Sequence, residues 1–575
     1  MPTPSPTAWT GNVSLSYNVA GGNGSFSFKP LGTTDLIQQL RAQIPPSFDY
    51  YVSSLNGNDA NDGLTPATAK QTIAAAQNLL GAGKSLGLEY GSYFREQLTI
   101  DYPNVRVGAY GVGELPVLDA SKLVQPEDIL KTPGYTNLYQ FDVTPVADID
   151  GREFLFSTFE DGQRLRRIET TKEDCDNTPG SFYAPQSTST SVVYFHAIDS
   201  VNPKADGVTI EVAVRDAGFD TADAATGLRL SNIHAKRSIL NDGVLRIRGK
   251  KSVVSACVAE DGTKHTLYVT DDCSLEDVVC WKGEGRDSYF IYYYENATGD
   301  SKGTTFRRCV AIGGYAYGQQ VARYETASGY YCHSFNGAAN PLANVLYEDC
   351  YAENFGTGFA GEALQLTVRG CFTHLTAIAA AGPFKAGAAA TIERNFFDQR
   401  AGGDYQKASN EQRTLLQATA GTTTIRNNVL LTAIPDTKYG FCLYASNGDV
   451  VFTRNTLLNE GNGNGLGISK QGAGQLTFDH NIFYDIREIC NVNNSALSSF
   501  NNVYWRPNSG PIAWTLNGTP YTSLFDWQNQ TTPKQDAGSI SADPDFFPPS
   551  TFWHTVGIAT PRNPTVIALG AGATS

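Results

Sequence analysis

The chain has 575 residues, and its 43 lysines and arginines against 57 aspartates and glutamates give a formal net charge of −14. So acidic a balance argues against nucleic acid as a partner, because phosphates demand a basic surface. No apolar run approaches the roughly 18 residues of a membrane-spanning helix, so no membrane insertion is expected.

Residues 1–48 are dominated by Pro, Ser, Gly and Asn as far as Gly32. The opening Met-Pro-Thr-Pro-Ser-Pro-Thr has neither a basic region nor an apolar core, so no secretory signal is expected. Thr34 to Gln43 reads as a short helix capped by Thr33, Thr34 or Asp35 and stopped by Pro45-Pro46. The segment is an attachment arm or a flexible tail.

Residues 49–119 form the next block. From Tyr50 to Ala76 a strand leads into an Asn/Asp/Gly turn, then a helix with Ile73, Leu79 and Leu80 on one face. Leu88-Glu-Tyr-Gly-Ser-Tyr-Phe-Arg-Glu-Gln-Leu-Thr-Ile100 follows, and Val105 to Asp119 reads as strands around glycine turns. Residues 120–235 break this rhythm. Val192-Val-Tyr-Phe-His196 and Val208-Thr-Ile-Glu-Val-Ala-Val214 read as strands of a β-rich insertion, which either binds sugar or shields a face.

The main body, residues 236–510, carries a repeat: an apolar residue, two mostly polar residues, then Cys or Asn, then apolar residues. It reads Val254-Ser-Ala-Cys257, Leu275-Glu-Asp-Val278, Phe306-Arg-Arg-Cys309, Tyr347-Glu-Asp-Cys350 and Val368-Arg-Gly-Cys371. It continues Ile392-Glu-Arg-Asn395, Ile425-Arg-Asn-Asn428, Phe452-Thr-Arg-Asn455, Phe478-Asp-His-Asn481 and Ser499-Phe-Asn-Asn502. Successive spacings are 21, 31, 41, 21, 24, 33, 27, 26 and 21 residues. A period of that length with variable insertions indicates a solenoid, and short strands with glycine-rich turns make it a β solenoid. Two positions before each Cys or Asn, the sign of charge alternates from Glu276 through Arg307, Glu348, Arg369 and Glu393 to Arg426. Parallel strands stack about 4.8 Å apart, so these side chains should form a ladder of opposite charges. The Cys and Asn positions should form a second ladder, of amides where Asn recurs and of small apolar groups where Cys does. The ten cysteines then read as free buried thiols of a protein made in a reducing cytosol. The seven scattered histidines give no metal-site spacing, and no cofactor is expected. Beyond Tyr504 the pattern weakens, and 511–575 should cap the last coil against unpaired strand edges.

The segment at Tyr50–Ala76, the Gly91-Ser-Tyr-Phe-Arg-Glu96 run and the ending Ala542-Asp-Pro-Asp-Phe-Phe547 with Ala568-Leu-Gly-Ala-Gly572 resemble right-handed parallel β-helix proteins of the pectate-lyase-like kind. The resemblance covers roughly 50–119 and 236–505. It implies an all-β, right-handed parallel β-helix with an N-terminal capping helix, a β-rich insertion and an irregular C-terminal cap. Polysaccharide lyases, glycosidases and phage tailspikes share that fold, so it speaks to architecture before reaction. Thr270-Asp-Asp-Cys273 is similar to the Asp-Asp-Cys of polygalacturonase-like enzymes, without their other motifs. Asp271, Asp272 and Glu295 could hold calcium, on a spacing that is not diagnostic.

Alternation places Leu245/Ile247, Leu267/Val269, Tyr292/Tyr294 and Ala322/Tyr324 toward the core. The outward face then carries two columns: Arg246, Tyr268, Tyr293, Arg323, Gln365; and Arg248, Thr270, Glu295, Glu325, Thr367. Lys385, Gln417 and Tyr444 fall near the same strip. Glu295 and Glu325 are expected as neighbours, one protonated and one ionised, the arrangement glycoside hydrolysis uses. Asp271 and Asp272 are reserve carboxylates. Tyr268 and Tyr293 offer faces for sugar rings, and Arg323 could hold an acidic sugar, with Arg246, Arg248, Gln365 and Lys385 as further substrate contacts. The plain alternative is an exposed polar strip whose arginines offset the glutamates. The resemblance implies a bacteriophage tailspike: a homotrimer, joined to a tail or baseplate protein through residues 1–48, that binds and depolymerises host surface polysaccharide. A secreted polysaccharide lyase and a noncatalytic glycan-binding adhesin are the competing readings.

Overall fold

The computed structural model describes residues 13–19, 22–28, 47–143, 157–185, 191–239, 243–283, 288–294, 301–313, 328–334, 342–353, 355–374, 376, 378–384, 386–398, 413–432, 440–459, 465–507, 511–544, 563–569 and 571. Two compact units divide the chain, one of residues 35–291 with 313–323, the other of 1–34, 292–312 and 324–575. Each is built of coils that visit three parallel sheets in turn, so the protein is a right-handed parallel β-helix.

In the first unit, the first sheet stacks Leu98–Ile100, Phe219–Thr221, Leu245–Ile247 and Leu267–Val269 in parallel. The second stacks Tyr50–Val52, Ser85–Glu89, Arg106–Tyr110, Arg229–Ser231, Val253–Ser255 and Ser274–Glu276. The third runs from Tyr93–Phe94 through Val117–Asp119, His234–Lys236 and Val258–Glu260 to Val279–Trp281. Most of these strands are three residues long. Their middle or flanking apolar side chains, such as Leu118, Leu230, Val254 and Leu267, are fully buried between the sheets. A short helix, Ile73–Gln77, is capped by the Thr72 side chain and buries Ile73 and Ala76.

The coil rhythm resumes at Phe219, earlier than the expected boundary at residue 236, because 219–236 already supply one strand to each sheet. The inserted segment forms a four-stranded and a five-stranded sheet with mostly antiparallel pairing, around Phe141, Leu165, Phe182, Val193, Phe195 and Ile210. It is bolted to the coils by charge. Arg237, 1% exposed, donates from Nη1 to Asp119 Oδ2 at 2.9 Å and from Nη2 to Glu211 Oε2 of the insertion at 2.7 Å. Its guanidinium also lies 4.0 Å from the ring of Phe159, another insertion residue.

The second unit repeats the plan. Its first sheet runs Ser328–Ser334, Thr357–Gly361, Ile378–Ala381, Arg413–Ala418, Gly440–Ala445, Gly465–Gln471, Ile486–Asn493 and Ala513–Leu516. The antiparallel strand Thr519–Tyr521 closes its edge. The charge ladder stands in the second sheet, in the expected register from Arg307 to Arg426. Glu348 pairs with Arg307 at 2.7 Å and with Arg369, and Glu393 pairs with Arg426 at 2.6 Å. Burial alone would raise Glu348, but hydrogen bonds from the two arginines hold its carboxyl below the usual range. Their arginines stay partly exposed, and surface pairs are each worth about 0–1 kcal/mol, so the ladder sets register more than stability.

Behind it lies the amide ladder. Asn395, Asn428, Asn455 and Asn481 each donate from Nδ2 to the Oδ1 of the next, at 2.9, 2.9, 3.2 and 3.1 Å, ending on Asn502. All five are buried. The same Oδ1 atoms accept the backbone N–H of the preceding rung's ladder residue. Cys309, Cys350 and Cys371 fill the equivalent slot earlier in this unit, and Cys257 fills it in the first unit; all are free, buried thiols. Burial pushes Cys257 up to about 12, so it packs as a neutral group. Replacing Asn455 with alanine strands two buried donors of Asn428 and should cost about 2–3 kcal/mol, measurable by urea denaturation.

The residue before each ladder position turns the corner between the second and third sheets in the left-handed conformation. Ala256, Asp277, Asp349, Arg394, Asn427, Arg454, His480 and Asn501 have φ between 54° and 57°. Left-handed backbone disfavours most side chains by about 1–2 kcal/mol, so the stacking of the rungs must hold these corners. After the last coil, the helix Pro564–Leu569 packs Val566 onto Ile482 and Val503, on the outer face of the third sheet.

Candidate functional site

Chain length between strands singles out one face. From the strand Arg229–Ser231 onward, the connection from the second sheet to the third is two residues long at every coil, the corner residue and the ladder residue. The first sheet is flanked by longer links: 14 residues separate Asp398 from Arg413, and seven separate Thr432 from Gly440 and Ser334 from Leu342. Loops of variable length around a rigid face are where binding residues gather.

On that face in the second unit, Tyr330 and Cys332 point into the core, and Tyr331 and His333 point outward. Tyr331 pairs with Ala360 of the next rung. One residue past that strand stands Glu362, whose N–H donates to Cys332 C=O at 2.9 Å. Gly361 permits this close approach: a Cβ there would lie 1.6 Å from Cys332 Sγ. The Tyr331 hydroxyl donates to Glu362 Oε1 at 3.4 Å, and His333 Nδ1 lies 3.2 Å from Oε2. The two rings are 5.9 Å apart. Oε1 thus accepts from Tyr331 and Oε2 lies beside the His333 ring, both residues of the preceding coil, while the Glu362 side chain stays 29% exposed. A carboxylate oriented in this way can act as base, nucleophile or acid in acetal cleavage. Beyond it, Ala360 and Ala381 pair across neighbouring rungs and are both buried.

The residues expected from the sequence fall in several places. Arg246 and Tyr268 are in register on the first sheet of the first unit, as expected. Arg246 is not an exposed contact, however; it is 3% exposed, with Asp220 at 3.5 Å and Asp216 at 3.8 Å. Arg248 is half-buried, bonded through Nε to Thr221 C=O at 2.5 Å and through Nη2 to Asp220 at 3.3 Å. Burial raises the carboxyl of Asp220 even with both arginines beside it. Asp271 is buried, and Asp272 turns the chain at φ 58°. Tyr293 lies in the strand Ser288–Tyr294. Gln365 is not in the expected column: it belongs to the second sheet, between Asn344 and Ala389. The strand Ser328–Ser334 belongs to the first sheet, and the expected strand Val321–Glu325 lies outside the described residues. Glu295, Arg323, Glu325 and Lys385 lie outside the described residues. Among the described residues no three His, Cys, Asp or Glu side chains converge as metal ligands.

No family model matches the chain, and no curated protein matches it in sequence. Among solved structures, the complex of XylC with xylose aligns over 87% of this chain and 87% of its own, with TM-score 0.53 and 10% identity. A GH136 lacto-N-biosidase from Eubacterium ramulus aligns over 85% of this chain and 68% of its own, with TM-score 0.33 and 13% identity. The catalytic unit of a GH87 α-1,3-glucanase from Streptomyces thermodiastaticus aligns over 74% of this chain and 97% of its own, with TM-score 0.28 and 10% identity. The likeness to XylC is one of fold. This chain is a parallel β-helix protein.

Proposed function

We propose that the protein binds and hydrolyses a polysaccharide on the outer face of its first sheet. The observation that carries this reading is Glu362, braced by Tyr331 and His333 on the face with the longest flanking links. Hydrolysis needs a second carboxyl group, one to protonate the leaving oxygen and one to attack or activate water. Glu295 and Glu325 are the proposed partners: Glu295 directly follows the strand Ser288–Tyr294, and Glu325 shortly precedes Ser328–Ser334. In the finer form of the proposal the protein is a phage tailspike, trimeric and joined to the tail through residues 1–48, and the polysaccharide is on the host surface. The hairpin Val13–Val19 with Gly22–Phe28 pairs only within itself among the described strands, which suits an arm separate from the coils.

The test is incubation of the purified protein with surface polysaccharide. New reducing ends without an unsaturated sugar support hydrolysis. An ultraviolet-absorbing unsaturated product indicates a lyase, and binding without release indicates an adhesin. Glu295→Gln and Glu325→Gln should each abolish release while leaving binding intact; full activity in both removes them from the mechanism. Electron microscopy showing three solenoids side by side supports the trimer, and single solenoids refute it.

A further inference from the structure

Past Ala360 and Ala381, the same column continues on five successive rungs as Gln417, Tyr444, Ser469, Asn491 and Thr515, each in register with the next. Every one is neutral and carries a hydroxyl or an amide. Among the described residues, the Gln417 amide and the Tyr444 hydroxyl have no protein partner. Asn491 is held by one end: its Oδ1 accepts from Asn493 Nδ2 at 2.9 Å, leaving its own Nδ2 to donate elsewhere. Asn493 is fixed in turn by Gln471 Oε1 at 3.0 Å, and Gln471 donates to Ser469 Oγ at 3.2 Å. The Asn491 amide is thus oriented in advance, which lowers the ordering cost of a ligand there.

The column contains no lysine or arginine. Lys470, on one of these strands, is fully buried, and its ammonium donates to the carbonyls of Ser446, Gly472 and Ala473. Carboxylates stand near both ends: Glu362 beside Tyr331, and Glu488, which accepts from Thr515 Oγ1 at 3.0 Å. Arg487, beside Glu488, is partly exposed at one end of the column, but over the five column residues themselves a uronate polymer would meet no cation, and Glu362 and Glu488 would repel it. Hydroxyl-rich, uncharged sugars would find a donor or acceptor on four of the five rungs, spaced in multiples of about 4.8 Å, the buried Ser469 supporting Gln471 from beneath.

We infer that the polysaccharide is neutral and lies along the solenoid axis over this column, one rung after another. The inference rests on the polysaccharide reading and names its substrate class. The test is native electrophoresis of the full chain in gels carrying xylan, galactomannan, dextran, polygalacturonate or alginate, with the triple variant Gln417→Ala, Tyr444→Ala, Asn491→Ala beside it. Retardation by a neutral gel, weakened about tenfold or more in the triple variant and insensitive to salt, is the expected result. Retardation by a uronate gel that fades with salt overturns the neutral class and leaves the polysaccharide reading standing. Retardation by a neutral gel that the triple variant does not weaken overturns the placement. Retardation by none of the five overturns both. The melting temperature of the triple variant separates lost contacts from lost fold.

Discussion

Arg237→Met should lower stability by about 3–5 kcal/mol, the cost of leaving buried carboxylates without their partner. Asp119 is fully buried and Glu211 nearly so, and Arg237 binds both. Arg95 would remain, at 3.6 Å from Asp119 and 2.6 Å from Glu211, with the Tyr93 hydroxyl and the Ser121 N–H on Asp119. The pH dependence gives the sign. Burial pushes both carboxyls up, but Arg237 and the surrounding hydrogen bonds pull them further down, so each titrates below its ordinary value. Their contribution is complete above the unfolded carboxylate range near 4 and is lost as pH falls through the lowered folded values. In the variant the burial effect should prevail, raising both groups, so protonation would relieve the stranded charges. Its deficit against the native protein should therefore shrink between pH 7 and pH 5 in urea denaturation. A deficit constant with pH would place the effect of Arg237 in packing on Phe159 instead.

The other large effect concerns catalysis. Glu362→Gln keeps the shape of the side chain and its place beside Tyr331 and His333, and removes the charge and the titrating proton. Polysaccharide cleavage should fall about 10²–10⁴-fold, the usual contribution of a general acid or base, with gel retardation unchanged. Tyr331→Phe removes the hydrogen bond to Oε1 and should shift the pH profile of cleavage with a smaller loss of rate. Equal losses of binding and cleavage in Glu362→Gln would assign the residue to binding alone.

The second sheet was legible in the sequence because nothing varies between its strand and its corner. The Cys/Asn position and the charge two residues earlier recur together, and so Arg307, Glu348, Arg369, Glu393 and Arg426 could be aligned without coordinates. The first sheet was not legible in the same way. Its strands are separated from the repeat by links of unequal length, and counting backwards took Ala363–Thr367 for Thr357–Gly361. Gln365 moved to another sheet for that reason. Glu362 escaped notice because it sits in a one-residue link between small residues rather than within a strand. The Tyr331-x-His333 alternation and the Gly361-Glu362 step are the local signals that could have found it. The burial of Arg246 was invisible because its partners, Asp216 and Asp220, come from the previous coil.

The left-handed corner between the second and third sheets has a consequence for how such a chain can diverge. Adding one residue there would slide an asparagine out of line with its neighbours above and below and sever the spine of amides on both sides at once. The other two bends carry no such constraint. Lineages descended from this scaffold can therefore lengthen, trade or rebuild the walls around the first sheet while the opposite corner stays fixed in length, so that new specificities arise without refolding the backbone that displays them.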